Sequence, residues 1–295
     1  MGSVFFRNRF LSGLWAGVFG ILVVGLGGWW FTLALGVIVH LALLEFFRMA
    51  QFTGIRPATK TTLVACHLLL ISTQCGVNGV LSGELTSAVL PLSGAAICGW
   101  LLLQPVTGSI ADIAASIFGL FYLGFLPSHW LKLRSLSGIE FKQGLHLLPL
   151  DWPAFASFGM VITFMACLMI VAADIGSYFF GLSFGRHSLS PISPGKTVEG
   201  AIGGFLCAMA IGAISGELFK LKLGFLIGGF LGAFVALFAL VGDLTESMMK
   251  RNAGLKDSGD VLPGHGGILD RIDSYLFTPA VVYYVVILLM PFLNR

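Results

Sequence analysis

Acidic residues near the C-terminus are spaced as on the faces of helices. The first group comprises Asp243, Glu246, Ser247 and Lys250. The second comprises Asp270, Asp273 and Ser274. Residues spaced by three, four or seven positions lie on one face of an α-helix, so each group predicts a polar face. Carboxylate oxygens suit Mg²⁺, which keeps some of its waters and shares its coordination with substrate phosphates. We therefore predict a Mg²⁺ site with Asp243 and Asp270 as ligands and Asp273 as the next ligand, and we leave a second cation open.

A glycine-rich loop and several cations accompany these acids. The segment Pro263–Gly267 cannot continue a helix, and the backbone of Gly266 and Gly267 is predicted to approach an anion such as phosphate closely. Lys250 and Arg251 are cations that suit phosphate oxygens. Acids, cations and glycines together favour a metal–polyphosphate site over a proton relay, and the plain alternative is a solvated loop with charged helix ends.

The composition indicates a membrane protein. Hydrophobic residues make up 57% of the 295 residues and charged residues only 11%, whereas a soluble domain carries about 25% charge. The mean hydropathy is +0.93. The net charge of +3 is too small to indicate a nucleic-acid partner. Five cysteines without CxxC spacing support neither a zinc site nor a disulfide framework.

The apolar residues form long runs, as membrane spans of about 20 residues require. We predict an all-α, polytopic integral membrane protein with about nine transmembrane helices, at Leu11–Gly27, Trp29–Phe47, Thr62–Leu81, Leu85–Leu103, Ile110–Leu126, Phe155–Gly176, Gly200–Leu218, Gly224–Leu244 and Tyr275–Leu293. Residues 1–150 form an N-terminal set of membrane helices, and residues 151–295 form a C-terminal set that carries the catalytic cytoplasmic segments. Gly224, Gly228 and Gly232 have the spacing of close helix packing, with homodimer formation left open.

Charge placement predicts the orientation of the chain. With the N-terminus inside, eleven of the 17 Lys and Arg residues lie in inner segments and six in outer segments. We expect a multi-pass protein of a bacterial inner membrane, with the active site facing the cytoplasm. His40, His67 and Asp112 are isolated polar residues, for which satisfied packing or a water-filled crevice leading to the site is favoured over a role in function. Glu45 is expected to form a local ion pair with Arg48.

The C-terminal segment resembles a known family. From Ser247 to Asp273 the chain reads Ser-x-x-Lys-Arg, four residues, Lys-Asp, then Pro-x-His-Gly-Gly and Asp-Arg-x-Asp. This pattern is similar to the signature of the phosphatidate cytidylyltransferase (CDP-diacylglycerol synthase) family. Upstream, Asp174-x-Gly-x-Tyr and the segment 193–200 resemble two further elements of that family. Gly195 departs from the family, which has a first Lys there, while Lys196 matches the second.

The resemblance implies a reaction between CTP and phosphatidic acid that gives CDP-diacylglycerol and pyrophosphate in the lipid bilayer. The phosphate of phosphatidic acid is already a nucleophile, so positioning and cation electrostatics can supply the catalysis. The implied catalytic residues are Asp243, Asp270, Lys250, Arg251 and Lys196. Lys196, Lys250 and Arg251 are the candidates for binding the CTP phosphates or the lipid headgroup, and His265, Gly266 and Gly267 are the further candidates for binding phosphate. Because no general base is required, we expect His265 to hold the loop rather than to bind phosphate. Asp174 either joins the metal site or orients a lysine, and Glu246 pairs with a cation rather than binding metal.

Three rival classes remain. A transporter or channel accommodates many spans with buried acids, but it does not require a glycine-and-lysine loop between two acidic faces. A phosphoglycosyl transferase would share Mg²⁺ and aspartates without this pattern. A membrane scaffold would tolerate the loss of Asp270.

Overall fold

A computed structural model describes residues 17–137, 157–219, 224–259 and 266–293. These residues are almost entirely helical, as the apolar composition predicts. They divide into two compact units: one contains the described residues up to Leu131 and those of Asn252–Arg271, and the other contains those of Lys132–Arg251 and Ile272–Arg295. The predicted division at residue 150 into N-terminal helices and a catalytic C-terminal half stays a prediction.

The helices up to residue 137 are α1 to α6. Their bounds are α1 Gly17–Leu26, α2 Gly28–Phe52, α3 Thr59–Val77, α4 Gly83–Leu102, α5 Ile110–Gly119 and α6 Leu126–Arg134. Between α5 and α6, the segment Leu120–Phe125 is a π-helix, so that the apolar stretch Ile110–Arg134 is continuous. Ser109 begins α5 with a capping box, in which its hydroxyl and the Asp112 carboxylate each accept a backbone N–H.

The remaining elements run from Phe158 onward. They are α7 Phe158–Phe184, β1 Ser188–Ser190, β2 Ser193–Thr197, α8 Val198–Leu218, α9 Gly224–Asn252, α10 Leu269–Ile272, a 3-10 turn at Asp273–Tyr275 and α11 Thr278–Leu293. The two strands form an antiparallel hairpin in which Ser188 pairs with Thr197 and Ser190 with Ser193.

Seven helical stretches of the described chain are long and apolar enough to cross a membrane. They are Gly28–Phe52, Gly83–Leu102, Ile110–Arg134, Phe158–Phe184, Val198–Leu218, Gly224–Asn252 and Leu269–Leu288. The prediction of a polytopic all-α membrane protein is confirmed, and the count of nine stays a prediction. The predicted spans outside these seven are Thr62–Leu81, whose helix is α3, and Leu11–Gly27, which is described only from residue 17, where the shorter apolar helix α1 begins.

Close backbone contacts join α8 to α9. A Cβ atom at Gly228 would collide with the carbonyl oxygen of Gly212, and one at Gly232 with that of Ala208. Gly224 lies in the same way against Gly216. The predicted packing role of these glycines is confirmed within one chain, while dimer formation stays a prediction.

Asp112, Ser116 and two half-buried histidines of the N-terminal helices have partners, as satisfied packing requires. Asp112 accepts the backbone N–H of Arg56 at 2.6 Å, and Ser116 accepts that of Ala58 at 2.9 Å, so α5 holds the turn before α3. The rings of His40 and His67 pack edge to face with centroids 5.4 Å apart. These residues were expected to be isolated. The fold supplies their partners from distant parts of the sequence.

Candidate active site

Three carboxylates converge within the unit that contains α9. Asp243 and Glu246 are separated by three positions on α9, and Asp273 begins the 3-10 turn. Each offers an oxygen within 4.8 Å of the others. We call Asp243, Glu246 and Asp273 the carboxylate cluster. Oxygens bound to one Mg²⁺ lie about 3 to 4 Å apart, so a small closure would make this cluster a divalent-cation site.

A glycine brings α9 close to the 3-10 turn. Gly242 precedes Asp243, and a Cβ atom there would collide with the carbonyl oxygen of Asp273 and lie 3.6 Å from the Cα of Ser274. Only a residue without a side chain permits this approach. The convergence of Asp243 with Asp273 therefore depends on Gly242.

Two lysines contact the cluster. Lys196 forms an ion pair with Asp243, and Lys250 lies 2.6 Å from Glu246, one helical turn away on α9. The Glu246 side chain is fully buried and that of Lys250 is 13% exposed, so this pair is held away from water. The expectation that Glu246 pairs with a cation is confirmed, and its place among the cluster oxygens makes it a candidate ligand as well.

The β-hairpin positions Lys196. Lys196 lies in β2, directly before Thr197, whose hydroxyl accepts the Gly200 N–H and caps α8. Glu199 anchors the other end of the hairpin: its carboxylate accepts the backbone N–H of Arg186 at 3.1 Å and lies 2.6 Å from Nδ1 of His187. The lysine is thus carried by a loop that is fixed at the helix end.

A fourth carboxylate borders the cluster. The Ser274 hydroxyl lies 3.4 Å from Asp174, which interacts electrostatically with Asp243 and Lys196. Four carboxylates against two ammonium groups leave a formal excess of two negative charges among these described side chains. A divalent cation would balance that excess, so the residues present fit Mg²⁺.

Asp270 belongs to the other unit, where its carboxylate contacts Ser258 and Gly267. Its Oδ2 accepts the backbone N–H of Ser258 at 2.9 Å and that of Gly267 at 2.8 Å, and it lies 3.0 Å from the Ser258 hydroxyl. The predicted single helix face of Asp270 and Asp273 is not formed, because α10 ends at Ile272 and a 3-10 turn follows. The role of Asp270 as a metal ligand stays a prediction.

The remaining predicted site residues have varied surroundings. Arg251 Nε donates to the Ile192 carbonyl of the hairpin turn at 3.4 Å. Gly266 has a φ of 79°, which favours glycine. The space around Gly195 is open. His265 lies outside the described residues, and the phosphate roles of Lys196, Lys250, Arg251, Gly266 and Gly267 stay predictions.

Sequence reasoning missed the role of Glu45. Instead of the expected pair with Arg48, its carboxylate accepts the backbone N–H groups of Ile268 and Leu269, each at 2.9 Å, and contacts the Ser258 hydroxyl. Arg48 lies over the ring of Phe52, 6.0 Å from its centroid. The one signal available in the sequence was an acid inside an apolar span, which is rare without a partner.

The described residues define a polytopic helical membrane protein with a carboxylate-rich polar site. Residues 7–289 match the family described as the Cytidylyltransferase family, so the chain belongs to that family. It is 46% identical, over 92% of each chain, to the phosphatidate cytidylyltransferase of Synechocystis sp.. It is also 36% identical to phosphatidate cytidylyltransferase 4, chloroplastic, of Arabidopsis thaliana, over 94% of this chain and 72% of that protein, and 28% identical to the Bacillus subtilis phosphatidate cytidylyltransferase, over 96% and 98%. The family resemblance drawn from the motifs is confirmed.

Proposed function

We propose that this chain is a membrane-embedded phosphatidate cytidylyltransferase. The reaction joins the phosphate of phosphatidic acid to the α-phosphorus of CTP, which breaks the α–β phosphoanhydride bond and releases pyrophosphate. The observation that carries the proposal is the carboxylate cluster with its two lysines, in a chain that matches relatives of that name over nearly its whole length.

We further propose that the carboxylate cluster holds Mg²⁺, with Asp174 as a further acid at its edge. That Asp270 binds metal is a separate proposal, which rests on the sequence motif alone. A bound divalent cation would neutralise charge on the triphosphate and on the departing pyrophosphate. The excess of negative charge and the close carboxylate oxygens support this assignment. A second cation is compatible with four neighbouring carboxylates.

The chain's own residues supply binding and orientation. Lys196 lies on a hairpin and Lys250 on α9, so their ammonium groups can bind phosphate oxygens from two elements. Arg251, at the end of α9, adds a guanidinium with a planar set of donors for a phosphate or the lipid headgroup. No side chain has to act as a nucleophile, because the phosphate of the lipid attacks directly.

The distribution of Lys and Arg residues supports a proposal for the orientation in the membrane. We propose a bacterial inner membrane with the site facing the cytoplasm, where CTP is available. The excess of Lys and Arg in the segments on that side supports this orientation.

The test is an assay with the purified full-length protein, labelled CTP, phosphatidic acid and Mg²⁺, with and without chelator. We expect a CDP-lipid and pyrophosphate in equal amounts, and no product with chelator or in Asp243→Asn with an unchanged thermal unfolding profile. The matched control is Glu84→Gln, which removes an exposed acid in the first turn of α4. Turnover without any divalent cation would refute the metal assignment, and the absence of a CDP-lipid under all conditions would refute the reaction.

A further inference from the structure

The Glu45 carboxylate lies against residues 258–259 and 267–269. Glu45 lies in α2 and is 5% exposed, and the residues that it contacts are more than 200 positions further along the chain. A Cβ atom at Gly259 would lie 2.8 Å from Glu45 Oε1, and one at Gly267 would collide with Glu45 Oε2. The absence of side chains at Gly259 and Gly267 thus permits the backbone to approach this carboxylate closely at both positions.

Both oxygens of Glu45 accept hydrogen bonds from the start of α10. Oε1 accepts the Ile268 N–H and Oε2 accepts the Leu269 N–H, each at 2.9 Å. These N–H groups lie at the start of α10, where the first N–H groups of a helix have no acceptor within the helix. The Glu45 carboxylate supplies the acceptors that these N–H groups would otherwise lack away from water.

Ser258 connects Glu45 to Asp270. Its hydroxyl oxygen lies 2.9 Å from Glu45 Oε2 and 3.0 Å from Asp270 Oδ2, and its N–H donates to the same Asp270 oxygen. Asp270 also accepts the Gly267 N–H. The rotamer of Asp270 and the backbone of residues 266–269 are thus fixed by one network that begins at Glu45.

We propose that Glu45 is a positioning residue, which sets the conformation of residues 266–270 and thereby the orientation of the Asp270 carboxylate. The claim about conformation depends only on the hydrogen bonds that join Glu45, Ser258 and Asp270. Its catalytic consequence rests on the proposed function, in which residues 266–270 belong to the catalytic segment. An acid in α2 would then control the conformation of a motif near the C-terminus.

Substitutions of Glu45 distinguish whether its side chain acts as a hydrogen-bond acceptor or only fills space. Gln has nearly the same size and would satisfy packing, but its amide nitrogen presents a donor to one of the two N–H groups. We expect hydrogen–deuterium exchange of residues 266–272 to accelerate at least about tenfold in Glu45→Gln and further in Glu45→Ala, because buried N–H groups lose their acceptor. Ser258→Ala removes a single donor and leaves both backbone hydrogen bonds, so a smaller acceleration is expected.

The experiment uses the full-length protein in lipid nanodiscs, with Glu84→Gln as the control for loss of an exposed acid from the same unit. We expect Glu45→Gln to lower kcat for CDP-lipid formation at least about tenfold. Hydrogen–deuterium exchange outside residues 266–272 and the unfolding temperature should both stay close to those of Glu84→Gln. Exchange of residues 266–272 equal to that of the control would overturn the positioning role. Faster exchange with an unchanged kcat would overturn its catalytic consequence. If the unsubstituted protein forms no CDP-lipid, the proposed function fails, while the exchange measurement still decides the role of Glu45. Should Glu45→Gln not fold, Ser258→Ala tests the same network, and exchange of residues 266–272 in this variant equal to that of Glu84→Gln would overturn the proposal.

Discussion

The substitution Gly242→Ala tests whether the approach of α9 to the 3-10 turn assembles the site. The added methyl group would collide with the carbonyl oxygen of Asp273 and lie 3.1 Å from its carbonyl carbon. Non-bonded heavy atoms attract one another only at about 3.5 to 4 Å, so the two backbones have to separate by roughly 1 Å. Both neighbouring atoms belong to the backbone, so no side-chain rotation can relieve the clash.

Gly242→Ala is expected to lower both turnover and stability. A misplacement of about 1 Å lowers turnover by roughly 100-fold, because Asp243 and Asp273 would no longer reach a common cation. Overpacking of a buried contact lowers the free energy of unfolding by about 1 to 3 kcal/mol. We therefore expect a folded protein with a kcat for CDP-lipid formation that is reduced by about two orders of magnitude.

Gly229→Ala is the matched control on the same helix. A Cβ atom there would make ordinary contacts, at 3.7 Å from the Ala213 Cβ and 3.8 Å from the Met209 carbonyl oxygen. Both variants add one methyl group to α9, so the ratio of their kcat values measures the effect of placing that group at residue 242 rather than at residue 229. A kcat of Gly242→Ala within about threefold of that of Gly229→Ala would refute the reasoning, since a displacement of the predicted size has a far greater effect.

Three further predictions concern the charged side chains around the cluster. Lys196→Met should raise the KM for CTP at least about tenfold and lower stability by only about 1 kcal/mol, because Lys196 and Asp243 are 23% and 33% exposed; an unchanged KM would contradict this role. Lys250→Met should destabilise the protein more, by about 3 kcal/mol, because Glu246 is fully buried; thermal unfolding of both lysine variants in one detergent tests that order. Glu199→Gln should make the hairpin more accessible to protease without changing exchange in α9, because its carboxylate accepts the N–H groups before β1; protection equal to that of the unsubstituted protein would exclude this anchor.

The part of the site that could be predicted from the sequence is the part that depends on local helix geometry. Asp243, Glu246 and Lys250 share a face of α9 because their spacing matches the helical period, and the ion pair between Glu246 and Lys250 follows from it. Lys196 was found through its motif alone. Its contact with Asp243 depends on a hairpin whose direction no periodicity reveals.

Contacts between distant parts of the chain could not be predicted. A single sequence contains no signal that joins Glu45 to Ser258 across 213 positions. The change from α-helix to 3-10 turn at Asp273 was likewise hidden, because the i, i+3 spacing of Asp270 and Asp273 fits a continuous helix equally well. The number of spans was less certain than their existence, because α3 combines the length of a span with polar residues such as Thr73 and Gln74.

Binding of Mn²⁺, a spectroscopic substitute for Mg²⁺, tests the carboxylate cluster most directly. The free ion can be followed by electron paramagnetic resonance as it is titrated into the purified full-length protein. We predict saturable binding that is weakened at least about tenfold in Asp243→Asn and in Asp273→Asn, since even changes beyond the direct ligands weaken metal binding by 10- to 100-fold, and that is unchanged in Glu84→Gln. Equal affinity of the unsubstituted protein and both aspartate variants would contradict the assignment of a cation to this cluster.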